Sequence, residues 1–313
     1  MLSYLLGRIL ALAPVLLVVA VVVFLLIHLT PGDPARVLLG QDATPDQVQN
    51  LRHHMGLDRP LPVQFVLWFW RAVHGDLGLS FFQGIPVTAD ILLHASPTVT
   101  LSLLAISVSL LIGIPAGVIS AVFRNSWLDQ SSLALAMLGA AVPSFWLGLS
   151  LIVIFAVNLG LFPSSGYRAP AEGIGVSLHY LILPALALGL PNSSLIIRFT
   201  RSSLLDVIGN DYIRTARAKG VGERAVIFHH AFRNALVPIL TVVGLTFAAL
   251  MGGAVVTETV FSLPGIGQLV VSSVLRRDYP VIQGVILMVA TVYVLLNLAV
   301  DLLYFLVDPR VKY

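Results

Sequence analysis

The sequence contains no cysteine. Disulfides, thiolate metal sites and cysteine nucleophiles are therefore excluded together. Charge is scarce as well: Asp, Glu, Lys and Arg make up 11% of the 313 residues, against roughly 25% in a soluble domain. The only lysines are Lys219, followed by Gly220, and Lys312, followed by Tyr313, so the Gly-Lys-Ser/Thr of a Walker A phosphate loop is missing. No H-E-x-x-H and no G-x-S-x-G occurs, which removes the zinc-protease helix and the hydrolase nucleophile elbow. The histidine pairs His53-His54 and His229-His230 are adjacent in sequence, and adjacent residues do not face one ligand on a helix. No catalytic residue and no metal ligand is assigned, and nothing points to nucleic acid.

What is abundant is apolar sequence, 58% of the chain, gathered into long runs with almost no charge. A helix needs about 20 mostly apolar residues to cross a bilayer, because unpaired backbone polar groups are costly in hydrocarbon. Runs at 9–29, 99–123, 132–158, 178–197, 236–257 and 281–300 meet that requirement. An all-α polytopic membrane protein of six spans is predicted. The first run exceeds the apolar core of about 7–15 residues in a cleavable signal peptide, and is read as a retained span. With the N-terminus inside, the inner segments hold eleven Lys and Arg residues and the second and third outer loops hold three, so both termini are placed in the cytoplasm.

Two extramembrane segments are long. The first outer loop, 30–98, carries a helix signal at 44–55, with Thr44 as N-cap and Pro45 at the first helical position. Its stretch 61–73 holds Phe65, Trp68, Phe69 and Trp70, which fits an aromatic belt at the membrane interface. The inner segment 198–238 holds seven of the 18 basic residues. Within it, 211–219 reads as a short helix ended by Gly220 and Gly222. A second helix is read over 223–236, with Ala225, Phe228, Phe232 and Leu236 along one face. Ala216, Ala218 and Gly220 permit close approach of another surface, while Arg214, Arg217 and Lys219 orient it. Composition alone fits a protein contact and a stretch lying on anionic headgroups equally well.

Polar residues at membrane depth are few. Glu258, at the outer end of the fifth run, either lines a translocation mouth or meets headgroup water. Asn192, Ser193 and Ser194 follow Pro191, and polar groups beside a helix break mark a candidate pathway. Asp301 lies four residues after Asn297 and reads as a structural polar contact.

Arg214-Thr215-Ala216-Arg217-Ala218-Lys219-Gly220, preceded by Asp211-Tyr212 and followed by Arg233-Asn234-Ala235 and Pro238, resembles the cytoplasmic coupling loop of permeases of ATP-driven, binding-protein-dependent importers. The likeness is greatest to the dipeptide, oligopeptide, glutathione and nickel branch. Pro31-Gly32-Asp33-Pro34, Gly75-Asp76-Leu77-Gly78-Leu79-Ser80, Phe199-Thr200-Arg201-Ser202-Ser203, Glu258 with Pro264-Gly265-Ile266-Gly267, Arg277-Asp278-Tyr279-Pro280 and Asp308-Pro309-Arg310 extend it over the whole chain. Of the superfamily's Glu-Ala-Ala, three residues, Gly pattern only Ala216 and Gly220 match, since Arg214 and Thr215 take the first two places and Pro238 comes late.

The resemblance implies a type I importer permease: residues 1–98 as first span and outer loop, 99–313 as the core, and a coupling loop at about 200–236. It implies a non-catalytic subunit without cofactor of its own, in the inner membrane of a prokaryote. Its partners would be a second, similar permease, two ATPase subunits that bind ATP and Mg, an extracytoplasmic binding protein, and lipid. Asp211, Tyr212, Arg214, Thr215, Ala216, Arg217, Lys219 and Gly220 are the coupling candidates. The rival reading is a stand-alone, ion-gradient-driven carrier or channel, which would require buried carboxylates for its coupling ion.

Overall fold

The computed structural model describes residues 2–29, 33–40 and 42–307. Pro31, Gly32, Asp308-Pro309-Arg310, Lys312 and the side chain of Asp301 lie outside the described residues. In chain order the helices are α1 (Leu2–Leu29), α2 (Pro34–Leu39), α3 (Pro45–Met55), α4 (Leu61–Val73), α5 (Val87–Val122), α6 (Trp127–Ala141), α7 (Ser144–Leu151), α8 (Ile174–Ile208), α9 (Asp211–Ala218), α10 (Glu223–Ala225), α11 (Phe232–Phe261), α12 (Ile266–Arg276) and α13 (Tyr279–Val307). Two π-helical segments, Ile152–Asn158 and Val226–Ala231, continue α7 and join α10 to α11. Among the described residues, five helices are long and apolar enough to cross a membrane. Two bent pairs also pass by length and composition, each a broken span or a re-entrant loop: α6 with α7 and its π-helical continuation (96°), and the end of α11, Ala254–Phe261, with α12 (84°).

The helices outrun the apolar runs that predict them. α5 begins at Val87 rather than near residue 99, because Asp90 sits in its first turn, where a carboxylate complements the helix dipole. α8 likewise runs on to Ile208, so Arg198 and Arg201 are helical rather than loop residues. The largest departure lies after α9. Instead of a separate second helix, Glu223–Ala225 continues through the π-helical segment into α11. Its buried face is Val226, Ile227, Ala231 and Ala235, whereas Phe228 is exposed. The step of five from Val226 to Ala231 is the π spacing, and it moves the inner face off the i, i+4 row that the sequence pattern traces.

By compactness the chain divides into Met1–Ala95 with Gln268–Leu295, and Ser96–Gly267 with Leu296–Tyr313. In the first unit, Thr44 caps α3 through a reciprocal pair with Gln47, and Gly56 closes the helix at φ +69, a left-handed conformation that glycine adopts without a Cβ penalty. α4 packs on α1: the Phe24 ring lies 5.4 Å from Phe65, edge-on, and 5.8 Å from Trp68. Asp278 is buried and accepts hydrogen bonds from the Ser80 hydroxyl (2.6 Å) and the Phe81 backbone N–H (3.2 Å). Two of the motifs that carried the resemblance, around Gly75–Ser80 and Arg277–Pro280, are thereby joined.

The second unit is built on α5, α7, α8 and α11 around a core that includes Leu101, Leu181, Leu188, Leu250 and Phe261. α5 and α8 approach until backbone meets backbone. A Cβ on Gly189 would stand 2.6 Å from the Ala105 carbonyl oxygen, and one on Gly117 2.8 Å from that of Ile197. The Ser109 hydroxyl donates to the Ala105 and Gly189 carbonyls at 2.9 and 2.7 Å, so the seam is tied by a polar contact as well as by packing, as helix pairs in membranes are.

Candidate functional site

The segment after α8 is arranged so that one short helix is held rigidly and shows a basic face outward. In α9, Ile213 is 0% exposed and Ala216 is half-buried; both pack with Val118, Leu204 and Val226. The helix ends in a paired closure: Gly220 N–H donates to Arg217 O (2.9 Å) and Val221 N–H to Ala216 O (3.2 Å), with Gly220 at φ +79. That geometry satisfies the last carbonyls and favours glycine at the turn. Arg217 then clamps Glu223 with two bonds of 3.0 and 2.6 Å, and the carboxylate holds the Arg217 guanidinium above its ordinary pKa. The Asn234 side chain donates to the Tyr212 hydroxyl (3.0 Å) and to His230 O (2.7 Å). α9 is thus braced at one end against α10 and at the other against the start of α11.

The predicted coupling residues divide accordingly. Ile213 and Ala216 form the inner face, and Ala216, which sequence reasoning offered to a partner, meets its own chain. Asp211 accepts from Arg214 (3.3 Å), and its carbonyl accepts from the Thr215 hydroxyl (3.0 Å). Arg214, Thr215, Ala218, Lys219 and Gly220 are exposed, and a Cβ at Gly220 would meet nothing within 4 Å.

The weaker pathway candidates lie elsewhere. Asn192, Ser193 and Ser194 donate to carbonyls of their own helix, at Leu188, Leu190 and Pro191. Ser193 and Ser194 are buried, the first where α5 passes at Gly113 and the second near Gly139 of α6. Glu258 is 0% exposed; Thr98 donates its hydroxyl to it at 2.5 Å and accepts the Ile266 N–H at 2.8 Å. Gly265 and Gly267 leave the space that its carboxylate fills. This glutamate fastens the turn after α11 to α5 instead of lining an open face of the chain.

Sequence reasoning passed over one group. Asp129, 2% exposed, takes a two-pronged ion pair from Arg201 (2.7 and 2.9 Å) and further bonds from the Ser120 hydroxyl and the Asn125 N–H. It ties the ends of α5, α6 and α8. The only signal for it was a carboxylate beside Arg124 between two apolar runs, which reads as an ordinary turn. The buried carboxylates among the described residues are Asp90, Asp129, Asp278 and Glu258, and each accepts a hydrogen bond from another segment or turn of this chain. A rival carrier would need such groups for its coupling ion. His28 and His94 are hydrogen-bonded within the chain, and no group of three metal-binding side chains occurs among the described residues.

Comparison with known proteins bears on the whole chain. Residues 113–313 match the family described as the binding-protein-dependent transport system inner membrane component, and residues 1–103 match its N-terminal companion. A Brucella abortus permease protein assigned to a peptide transport system is 46% identical over 313 residues, with all of both chains covered. The glutathione transport system permease of Pectobacterium atrosepticum is 44% identical over 313 residues, again with all of both chains covered. Among solved structures, an inward-facing form of the MetNI methionine ABC transporter aligns with a TM-score of 0.59 at 20% identity, covering 70% of this chain and 96% of that one, which supports the fold. Its relatives are non-catalytic membrane subunits whose ATPase is a separate chain, so the stand-alone carrier reading is set aside. The chain belongs to the binding-protein-dependent transport system inner membrane components and is a multi-pass permease subunit of an ATP-driven importer.

Proposed function

We propose that α9 is the lever through which a partner ATPase drives this permease. The observation that carries the reading is the bracing of α9: a basic outer face on a helix held to α10 by Arg217–Glu223 and to α11 by Tyr212–Asn234. A helix so held transmits a push to the membrane span instead of bending under it. Arg214, Thr215, Lys219 and Gly220 supply the contact, with Asp211, Tyr212, Ala216 and Arg217 as the brace. The assembly comprises this chain, a second similar permease, two ATPase subunits that bind ATP and Mg, and an extracytoplasmic binding protein. It sits in the inner membrane of a prokaryote, with both termini and α9 in the cytoplasm. Closure of the ATPases on nucleotide would move α9 and alternate the access of a central cavity between two packed arrangements.

The cargo is a short peptide or glutathione-like solute, because relatives of full length and 44–46% identity carry peptide and glutathione transport names; a nickel chelate is the less supported choice. Asn192 is the one pathway candidate that keeps partial exposure. The test is charge reversal at Arg214 and Lys219 together in the reconstituted transporter. ATP-dependent uptake is expected to fall at least tenfold while the permease inserts and assembles normally. Wild-type uptake by the double variant would remove α9 from the coupling role.

A further inference from the structure

Among the described residues, the face of α4 turned away from α1 is left exposed. Val63, Val66, Leu67, Trp70 and Val73 recur at helical spacing along it, with Val66, Trp70 and Val73 at 62%, 66% and 64% exposure. The aromatic cluster of the sequence is divided between two faces. Phe65 and Trp68 turn inward onto Phe24, and only Trp70 joins the outer stripe, its ring 4.4 Å from that of His74.

What lies over this stripe follows from where α4 is anchored. It meets α1 at Phe24, and its Gln64 side chain lies 3.3 Å from the His28 imidazole. These positions are the last turns of the apolar stretch Leu12–Leu29 by which α1 crosses the bilayer. Val18 and Val22 of α1 are exposed within that stretch, so the end of the span on which α4 is anchored is flanked by apolar surface at membrane depth. Thirteen residues at 1.5 Å each give about 20 Å, too short to cross. With Phe65 and Trp68 spent on α1, the outward stripe that carries Trp70, with Arg71 near the helix end, suits a helix lying in the plane of the headgroups.

We propose that α4 is an interfacial helix whose outer stripe is seated in the bilayer leaflet at the Leu29 end of α1, with lipid as its partner. It would fix the depth of the first span and the height at which the following segment stands above the membrane.

The chain's lack of cysteine allows a direct test. Single variants Val63→Cys, Val66→Cys, Trp70→Cys, Val73→Cys and, as a reference, Arg71→Cys are spin-labelled in the full transporter with cysteine-free partner chains. The transporter is reconstituted in nanodiscs of phosphatidylethanolamine and phosphatidylglycerol. Oxygen is expected to relax labels at Val66, Trp70 and Val73 several-fold more, relative to a water-soluble nickel chelate, than the label at Arg71. Preferential relaxation of the stripe by the nickel chelate would mean a face in water. Protection of the stripe from both reagents would mean a face covered by another protein chain. Either result overturns the proposal.

Discussion

Replacing Gly189 with leucine should leave almost no folded permease in the membrane. A Cβ there stands 2.6 Å from the Ala105 carbonyl oxygen and 3.0 Å from the Val108 side chain, and the first of these is backbone that cannot rotate aside. Overpacking a closed interior costs about 1–3 kcal/mol where side chains can yield. Here α5 and α8 would have to separate, which also breaks the Ser109 bond to Gly189, so the upper end of that range or more applies. Recovery of the detergent-extracted complex and its thermal midpoint measure the effect. Gly175→Ala is the control: it lies in the same helix with nothing within 4 Å of its Cβ position and should match wild type. Equal recovery of Gly189→Leu would mean that the two helices do not touch as described.

The second large effect falls on Asp129 and Arg201. Removing one partner of a buried ion pair strands the other, at about 3–5 kcal/mol, whereas replacing both is often near neutral. Arg201→Ala should therefore lower the thermal midpoint sharply and cut transport, because the Asp129 carboxylate keeps only Ser120 and the Asn125 N–H. Asp129→Asn combined with Arg201→Gln should recover most of the loss, since the amide oxygen can accept from the Asn125 N–H while the amide NH2 donates to the Ser120 hydroxyl, and no charge is buried. A double variant as unstable as the single one would show that charge, not burial, is what the site requires.

Both sites mark where sequence reasoning stopped. The six apolar runs were legible because hydrocarbon imposes length and charge limits on any span, and the cap at Thr44 because side-chain chemistry at a helix start is local. The Gly189–Ala105 contact is 84 residues apart in sequence and leaves no local trace, and neither does the pairing of Asp129 with Arg201. The inner segment shows the limit most clearly. Its basic residues and the stop at Gly220 could be read directly, yet the π-helical turn at Val226–Ala231 could not, since its extra residue is a response to packing. That turn decides which residues of the segment face inward. Ala216 illustrates the same limit: smallness suits any close contact, and only the fold reveals that it packs against the buried cluster of Ile213 and Leu204 in its own chain.

The proposed coupling requires a separate ATPase to grip α9 in the cytoplasm. The most direct measurement is cross-linking from Ala218→Cys, an exposed position on α9, to the ATPase chain in the assembled transporter, with and without nucleotide. A product of the summed mass, whose yield changes on ATP binding, is the predicted result. Absence of any product, together with modification of the same cysteine by an impermeant thiol reagent added to the outer side of the membrane, would contradict it.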